Sequence, residues 1–296
     1  MQASQSLAFP GHWQHGYAFT NGIQLHYVTQ GEGPLVLLLH GFPEFWYSWR
    51  HQIPTLARHF RVVVPDLRGY NDSDKPNTGY DLDTLTADVR GLLIHFGERA
   101  AAVVAHDWGG AIAWHWAQQF PEQVRQLAVL NSPHPACFRR ELLGNLDQLR
   151  RSWYMLAMQL PVLPEWFVQN NLKEAVRRIF MDTAIRKSAF SKHDLDIYRQ
   201  ALAKPKVLTS AMNYYRQLAN VRTWQNLFLH PIRQIQVPTM LIWCEEDFAL
   251  SRKLTEGMES FFTRTLRKEF IADCGHWAQQ EAPQTVNRLL LDFLSP

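Results

Sequence analysis

Ala100-Ala-Ala-Val-Val-Ala-His-Asp-Trp-Gly-Gly110 carries the decision about the architecture of this chain. The apolar run that ends at Ala105 is short enough for a strand buried on both faces, and small residues from Gly109 open an amphipathic helix. Between them stands one acid, Asp107. Ala105 and Gly109 on either side of it fit the sharp strand-to-helix turn of a nucleophile elbow, where larger residues would collide. A carboxylate at that apex can attack carbon and leave an ester on the enzyme, in the place where a serine hydrolase carries serine. The competing reading is that Asp107 only caps the helix that follows, since Asp is a favoured N-cap residue.

Other segments repeat the strand and helix texture. Leu35 to Leu39 and Arg61 to Val64 are further buried-strand runs, and Phe19-Thr-Asn-Gly-Ile-Gln-Leu-His-Tyr27 sets Asn-Gly between two alternating segments. That is a hairpin signal, with Ile23, Leu25 and Tyr27 on one face. Leu82, Leu85, Val89, Leu92, Leu93 and Phe96 keep a helical period that Gly97 can end. Leu127 to Leu130, Thr239 to Trp243 and Leu266 to Ile271 read as strands, before a final helix carrying Val286, Leu289, Leu290, Phe293 and Leu294. From about Pro135 to about Pro231 the strand-like runs stop, and the short patterns are helical. The alternation predicts an α/β protein with a mostly parallel sheet covered on both faces, and such sheets bind ligands at the carboxyl ends of their strands.

Of the 296 residues 46% are hydrophobic, enough for one large core with an insertion. Thirty basic residues against 27 acidic ones leave a net charge of only +3, scattered along the chain, so no nucleic-acid partner is expected. Cys137, Cys244 and Cys274 are widely spaced with no CxxC, which indicates neither a disulfide framework nor a zinc site and suits a reducing, cytoplasmic setting. Met1 to Pro10 has no leader character and no apolar run reaches the length of a membrane span, so no membrane partner is expected either.

Two more segments at strand ends can be tied to Asp107. Trp243-Cys-Glu-Glu-Asp247 offers carboxylates at Glu245, Glu246 and Asp247, and Asp273-Cys-Gly-His276-Trp puts a histidine on the last loop. Nucleophile, acid, histidine is the order of a hydrolase triad. His40-Gly-Phe-Pro43 follows a buried strand, where glycine lets the backbone approach a ligand and the Phe42 N–H can pair with that of Trp108 as an oxyanion site. Taken singly, each piece reads equally as a solvated loop or a turn, and the Trp108 side chain as a pocket-wall aromatic.

With these residues in view the chain resembles the α/β-hydrolase superfamily, and within it the epoxide hydrolases, over nearly its whole length. His40-Gly-Phe-Pro-Glu-Phe-Trp-Tyr-Ser-Trp-Arg50, Asp66-Leu-Arg-Gly-Tyr-Asn-Asp-Ser-Asp-Lys-Pro76 and His106-Asp-Trp-Gly-Gly110 carry the resemblance. Asn71 and Cys244 depart from it where glycine is usual; Asn tolerates a left-handed turn. The resemblance implies an α/β-hydrolase fold with an eight-stranded sheet, a core of residues 1–134 and 232–296, and an inserted helical cap over 135–231. It implies Asp247 as the acid, and cap tyrosines Tyr154 and Tyr215 holding an epoxide oxygen, with Tyr214 as a second aromatic. His40, Pro43 and Trp108 are expected to bind substrate. The activity implied is hydrolysis of an epoxide to a vicinal diol by a monomer or homodimer without a cofactor. Alternatives are a haloalkane or haloacid dehalogenase with the same triad, and a non-catalytic ligand-binding relative. Trp153, Met155, Met158, Trp166 and Phe167 suggest an apolar pocket for a hydrophobic or aryl substrate.

Overall fold

The computed structural model describes residues 13–220 and 233–295. The reading of Met1 to Pro10 and the expected cap boundary at residue 231 lie outside them. Eight strands, β1 (Gln14–Thr20), β2 (Ile23–Gln30), β3 (Leu35–Leu39), β4 (Arg61–Pro65), β5 (Ala101–His106), β6 (Val124–Leu130), β7 (Thr239–Cys244) and β8 (Leu266–Ile271), form one sheet in the order β1-β2-β4-β3-β5-β6-β7-β8. The β1–β2 hairpin turns through Asn21 and Gly22, both at positive φ (46° and 79°), which matches its twist to that of the strands. β2 pairs antiparallel with β4, and every later pairing is parallel.

β3, and β5 as far as Ala105, are apolar throughout because both faces are covered, whereas the edge strand β8 carries Arg267, Lys268 and Glu269. Leu35, Leu37 and Leu39 enter one core layer and Val36 and Leu38 the other, and β5 repeats this with Ala101, Val103 and Ala105 against Ala102 and Val104. Helix α1 (Leu82–His95) starts at Asp81, whose side chain accepts the Thr84 N–H at 2.9 Å, and buries Leu85, Val89, Leu92 and Leu93. Helix α2 (Trp108–Gln119) leaves the end of β5, one residue earlier than the sequence suggests.

Between β6 and β7 the described residues contain helices and no strand. Those that bear on the site are α3 (Leu146–Arg151), α4 (Trp153–Ala157), α5 (Leu163–Asn170) and α6 (Val207–Arg216). The chain closes with α7 (Pro283–Leu294), which buries Val286, Leu289, Leu290 and Leu294.

Candidate active site

The site begins with a strained residue. Asp107 sits at φ 50° and ψ −119° between β5 and α2, and its side chain makes no capping bond to the helix behind it. Simple capping therefore does not account for it. A backbone held there costs on the order of 1–3 kcal/mol, and here it turns a carboxylate toward the space above the sheet. The loop after β3 meets it closely: a Cβ on Gly41 would lie 2.4 Å from the Asp107 Cβ, and one on Gly109 would lie 2.5 Å from the Leu39 carbonyl. That approach brings the Phe42 N–H onto Asp107 Oδ1 at 2.7 Å. Gly41→Ala should push loop and carboxylate apart and lower kcat by roughly 10²-fold, the scale of a lost oxyanion donor, with thermal unfolding measured alongside to separate a local from a global fault.

Oδ2, the other carboxylate oxygen, faces His276, whose Nε2 is 3.7 Å away, near but not bonded. His276 Nδ1 lies 2.7 Å from Asp247 Oδ2. Asp247 is fixed in turn: Oδ2 also accepts from Asn131 Nδ2 at 2.8 Å, and Oδ1 accepts the N–H groups of Ala249 and Leu250 at 2.8 and 3.0 Å. Of the three acids in that loop only Asp247 reaches the histidine, since Glu245 pairs with Arg252 and Glu246 is exposed.

Burial disfavours a charged His276 ring, but Asp247, its hydrogen bond and then Asp107 and Glu44 outweigh this and hold the pKa up at about 9. Because the folded value lies above the ordinary 6.5, the pairing stabilises the fold fully below pH 6.5 and fades as pH rises through about 9. For Asp247 burial acts the other way, and its histidine and amide partners prevail, so the carboxyl titrates below its ordinary range. Since Asp107 is one of the charges that raise His276, Asp107→Asn should lower the His276 pKa, read from its ring protons by NMR.

Two phenols close the site from the inserted helices. Tyr215, on α6, packs edge-on against Phe42 and Trp108 with ring centroids at 5.1 and 5.2 Å, and Tyr154, on α4, meets it at 5.7 Å. Burial first, with Asp107 adding to it, raises both phenols above their ordinary pKa, so they remain protonated donors. Tyr214 points elsewhere and gives its hydroxyl to the Arg68 carbonyl at 2.7 Å. Asp107, Trp108, Phe138, Tyr154, Met155 and Tyr215 are among the walls of a cavity of about 550 Å³, within the range of small-molecule sites.

Residues 34–283 match the family described as the alpha/beta hydrolase fold. Over 282 residues the chain is 36% identical to epoxide hydrolase 4 of Mus musculus, covering 93% of this chain and 77% of that one. The chain belongs to the epoxide hydrolases of the α/β hydrolase family. It is also 39% identical to the AB hydrolase superfamily protein YfhM of Bacillus subtilis, over 93% of this chain and 96% of the other. Among solved structures it is similar to the Bacillus megaterium epoxide hydrolase in complex with an inhibitor, with a TM-score of 0.87, 33% identity, and coverage of 95% of this chain and 100% of that one. A mutant of that enzyme was solved with a naphthyloxy-propanediol product.

Two expectations for this epoxide hydrolase need correcting. His40 and Pro43 do not line the cavity. His40 is fully buried and spends both ring nitrogens on backbone, Nδ1 on the Gly41 carbonyl at 2.9 Å and Nε2 on the Leu67 N–H at 3.0 Å, so it shapes the loop. Pro43 is likewise buried. Nor do Trp153, Trp166 and Phe167 wall the cavity: they face outward, and of the five residues named only Met155 does so.

Other parts escaped sequence reasoning. Asn131 ends β6 in a left-handed turn (φ 38°) and holds both Asp247 and the Cys244 amide; its only trace is an Asn at the carboxyl end of a buried strand. Beneath the oxyanion loop Glu44 bonds His106 Nδ1 at 2.8 Å, and His106 Nε2 meets the His276 carbonyl at 2.9 Å, tying loop, elbow and base together. Asn71 adopts the left-handed turn expected of it, at φ 38°. Away from the cavity His26, Asp66 and Asp72 cluster within 4.8 Å, but their atoms are engaged with one another and with Lys204.

Proposed function

We propose that the enzyme converts a hydrophobic or aryl epoxide to a vicinal diol through an ester on Asp107. The observation that carries this reading is the convergence of two protonated phenols, Tyr154 and Tyr215, on the same cavity as the Asp107 carboxylate. Oδ2 attacks a ring carbon and the carbon–oxygen bond opens. The phenols donate to the departing oxygen, which would otherwise leave as a strongly basic alkoxide. Oδ1 remains on the Phe42 N–H and becomes the ester carbonyl. His276, held by Asp247, then takes a proton from water, and the resulting hydroxide adds to that carbonyl carbon. The backbone N–H groups of Phe42 and Trp108 receive the oxyanion; its collapse breaks the ester, and the two water protons, one on His276 and one on the renewed Asp107 carboxyl, pass to the leaving alkoxide and to the phenol that gave its proton, releasing the diol.

Esterification removes the Asp107 charge, one of the charges that keep His276 protonated, just before the ring must act as a base. Side chains, backbone N–H groups and water complete every step. A halide leaves without a proton and is held by N–H donors, so two phenols on the cavity beside Asp107 favour the epoxide over a dehalogenase substrate. We further infer that residues 135–231 act as the cap and that the enzyme works in the cytoplasm as a monomer or homodimer; three buried free cysteines suit that compartment, and no described helix is long and apolar enough to cross a membrane.

The test is product analysis in heavy-oxygen water with styrene and stilbene oxides beside bromoalkanes and haloacetates. Diol from the epoxides alone supports the proposal. Halide release without diol overturns it, and so does ligand binding without any product.

A further inference from the structure

Tyr154 and Tyr215 reach the same cavity from helices that are anchored differently. α6 buries Val207, Ala211, Met212 and Tyr214 in the body of the protein, so packing fixes its course. α4 has five residues, none of them fully buried. A helix of that length has no stability of its own, and a helix without a buried face is held only loosely by packing. Another interaction has to set the spacing of the two phenols, whose ring centroids lie 5.7 Å apart.

Two side chains supply it. Gln159, in the turn after α4, donates through Nε2 to the Met155 carbonyl at 3.0 Å and to the carbonyl of Tyr215 itself at 2.9 Å. Two carbonyls facing one atom fix that atom as the amide nitrogen, which carries a hydrogen for each. Both acceptors lie in the last turns of their helices, where backbone donors run short. Arg216, the neighbour of Tyr215, adds a second tie. Its Nε gives to the Met158 carbonyl at 3.1 Å and its Nη2 to the Leu160 carbonyl at 2.8 Å. The same guanidinium meets both oxygens of the buried Glu165, on α5, at 2.8 and 3.0 Å, a fork that fixes orientation as well as distance.

We propose that Gln159 and Arg216 are positioning residues for ring opening: they hold Tyr154 at the spacing from Tyr215 at which both hydroxyls meet one departing oxygen. The inference rests on the epoxide reading above. Neither residue is among the walls of the cavity, so each acts through the phenols.

The test is stopped-flow kinetics with styrene oxide on Gln159→Met, which keeps the length of the side chain and removes its donors. Ester formation should slow roughly tenfold, inside the 10²-fold that a 1 Å misplacement can cost, while ester breakdown stays within about twofold. A double-mutant cycle separates aiming from general support: in a Tyr154→Phe background the same substitution should cost less than about twofold, since the hydroxyl it aims is gone. An equal loss in both backgrounds, or equal slowing of both phases, would overturn the proposal. Circular dichroism and thermal unfolding check that the variant is folded; should it not be, Arg216→Lys, which keeps the charge and loses the fork, takes its place with the same expectations. Crystal structures of the wild type and of Gln159→Met give a readout that needs no turnover. The two phenol rings should part by about 1 Å in the variant, and an unchanged spacing would overturn the proposal. Wild-type enzyme that opened no epoxide would refute the epoxide reading instead, leaving the crystallographic spacing to decide whether Gln159 sets it.

Discussion

Asp107→Ala is expected to abolish diol formation, with a loss of at least about 10⁴-fold, whereas His276→Gln should halt the enzyme one step later. The difference follows from which oxygen and which nitrogen are free. Asp107 Oδ2 has no hydrogen bond to His276 across 3.7 Å, so it can attack without help from the ring. Hydrolysis of the ester requires a base, and among the described side chains near that carbonyl only His276 is positioned for the task, with Asp247 holding Nδ1 at 2.7 Å. Intact-protein mass spectrometry of His276→Gln after mixing with styrene oxide should show the mass of one added substrate, localised by digestion to the peptide holding Asp107. An epoxide that is opened by His276→Gln without leaving an adduct would refute the covalent route.

The second large effect concerns the phenols. Tyr154→Phe and Tyr215→Phe should each slow ring opening by roughly 10²-fold, and the double variant by about 10⁴-fold, the span of positioned general acids. Both substitutions leave the ring packing of the site in place, so the loss reports the hydroxyl alone. Stopped-flow traces should show the burst of ester formation slowed while its breakdown changes little, because the phenols do not touch the carbonyl that water attacks. Equal slowing of both phases would instead give them a structural part.

How far the sequence revealed this depended on which interactions are local. The β5–Asp107–α2 elbow was legible because one tight turn dictates small neighbours, and the strands because burial on both faces leaves an apolar run. Asp247 could not be told from Glu245 and Glu246 by residue type, since the distinction is made by Asn131 and His276, which lie 116 and 29 residues away. Glu44 and His106 were hidden for the same reason: their meaning is a buried bond across 62 residues. Direction was equally illegible in the insertion, where broken short helices give no lasting period to say which aromatics face in. Tyr214 and Tyr215 are adjacent, yet one bonds the Arg68 carbonyl and the other packs against the cavity phenol Tyr154.

The single amide bond from Phe42 to Asp107 makes two chemically identical oxygens unequal. Each turnover hands one of them to the diol and replaces it with oxygen from water, so the carboxylate keeps an isotopic record of its own use. While Oδ1 stays pinned, only the other position is renewed, and the diol always carries the water oxygen of the preceding cycle. If the carboxylate swings over between cycles, both positions are renewed. After many turnovers in heavy-oxygen water, one labelled atom on Asp107 or two therefore tells whether that short bond outlasts the catalytic cycle.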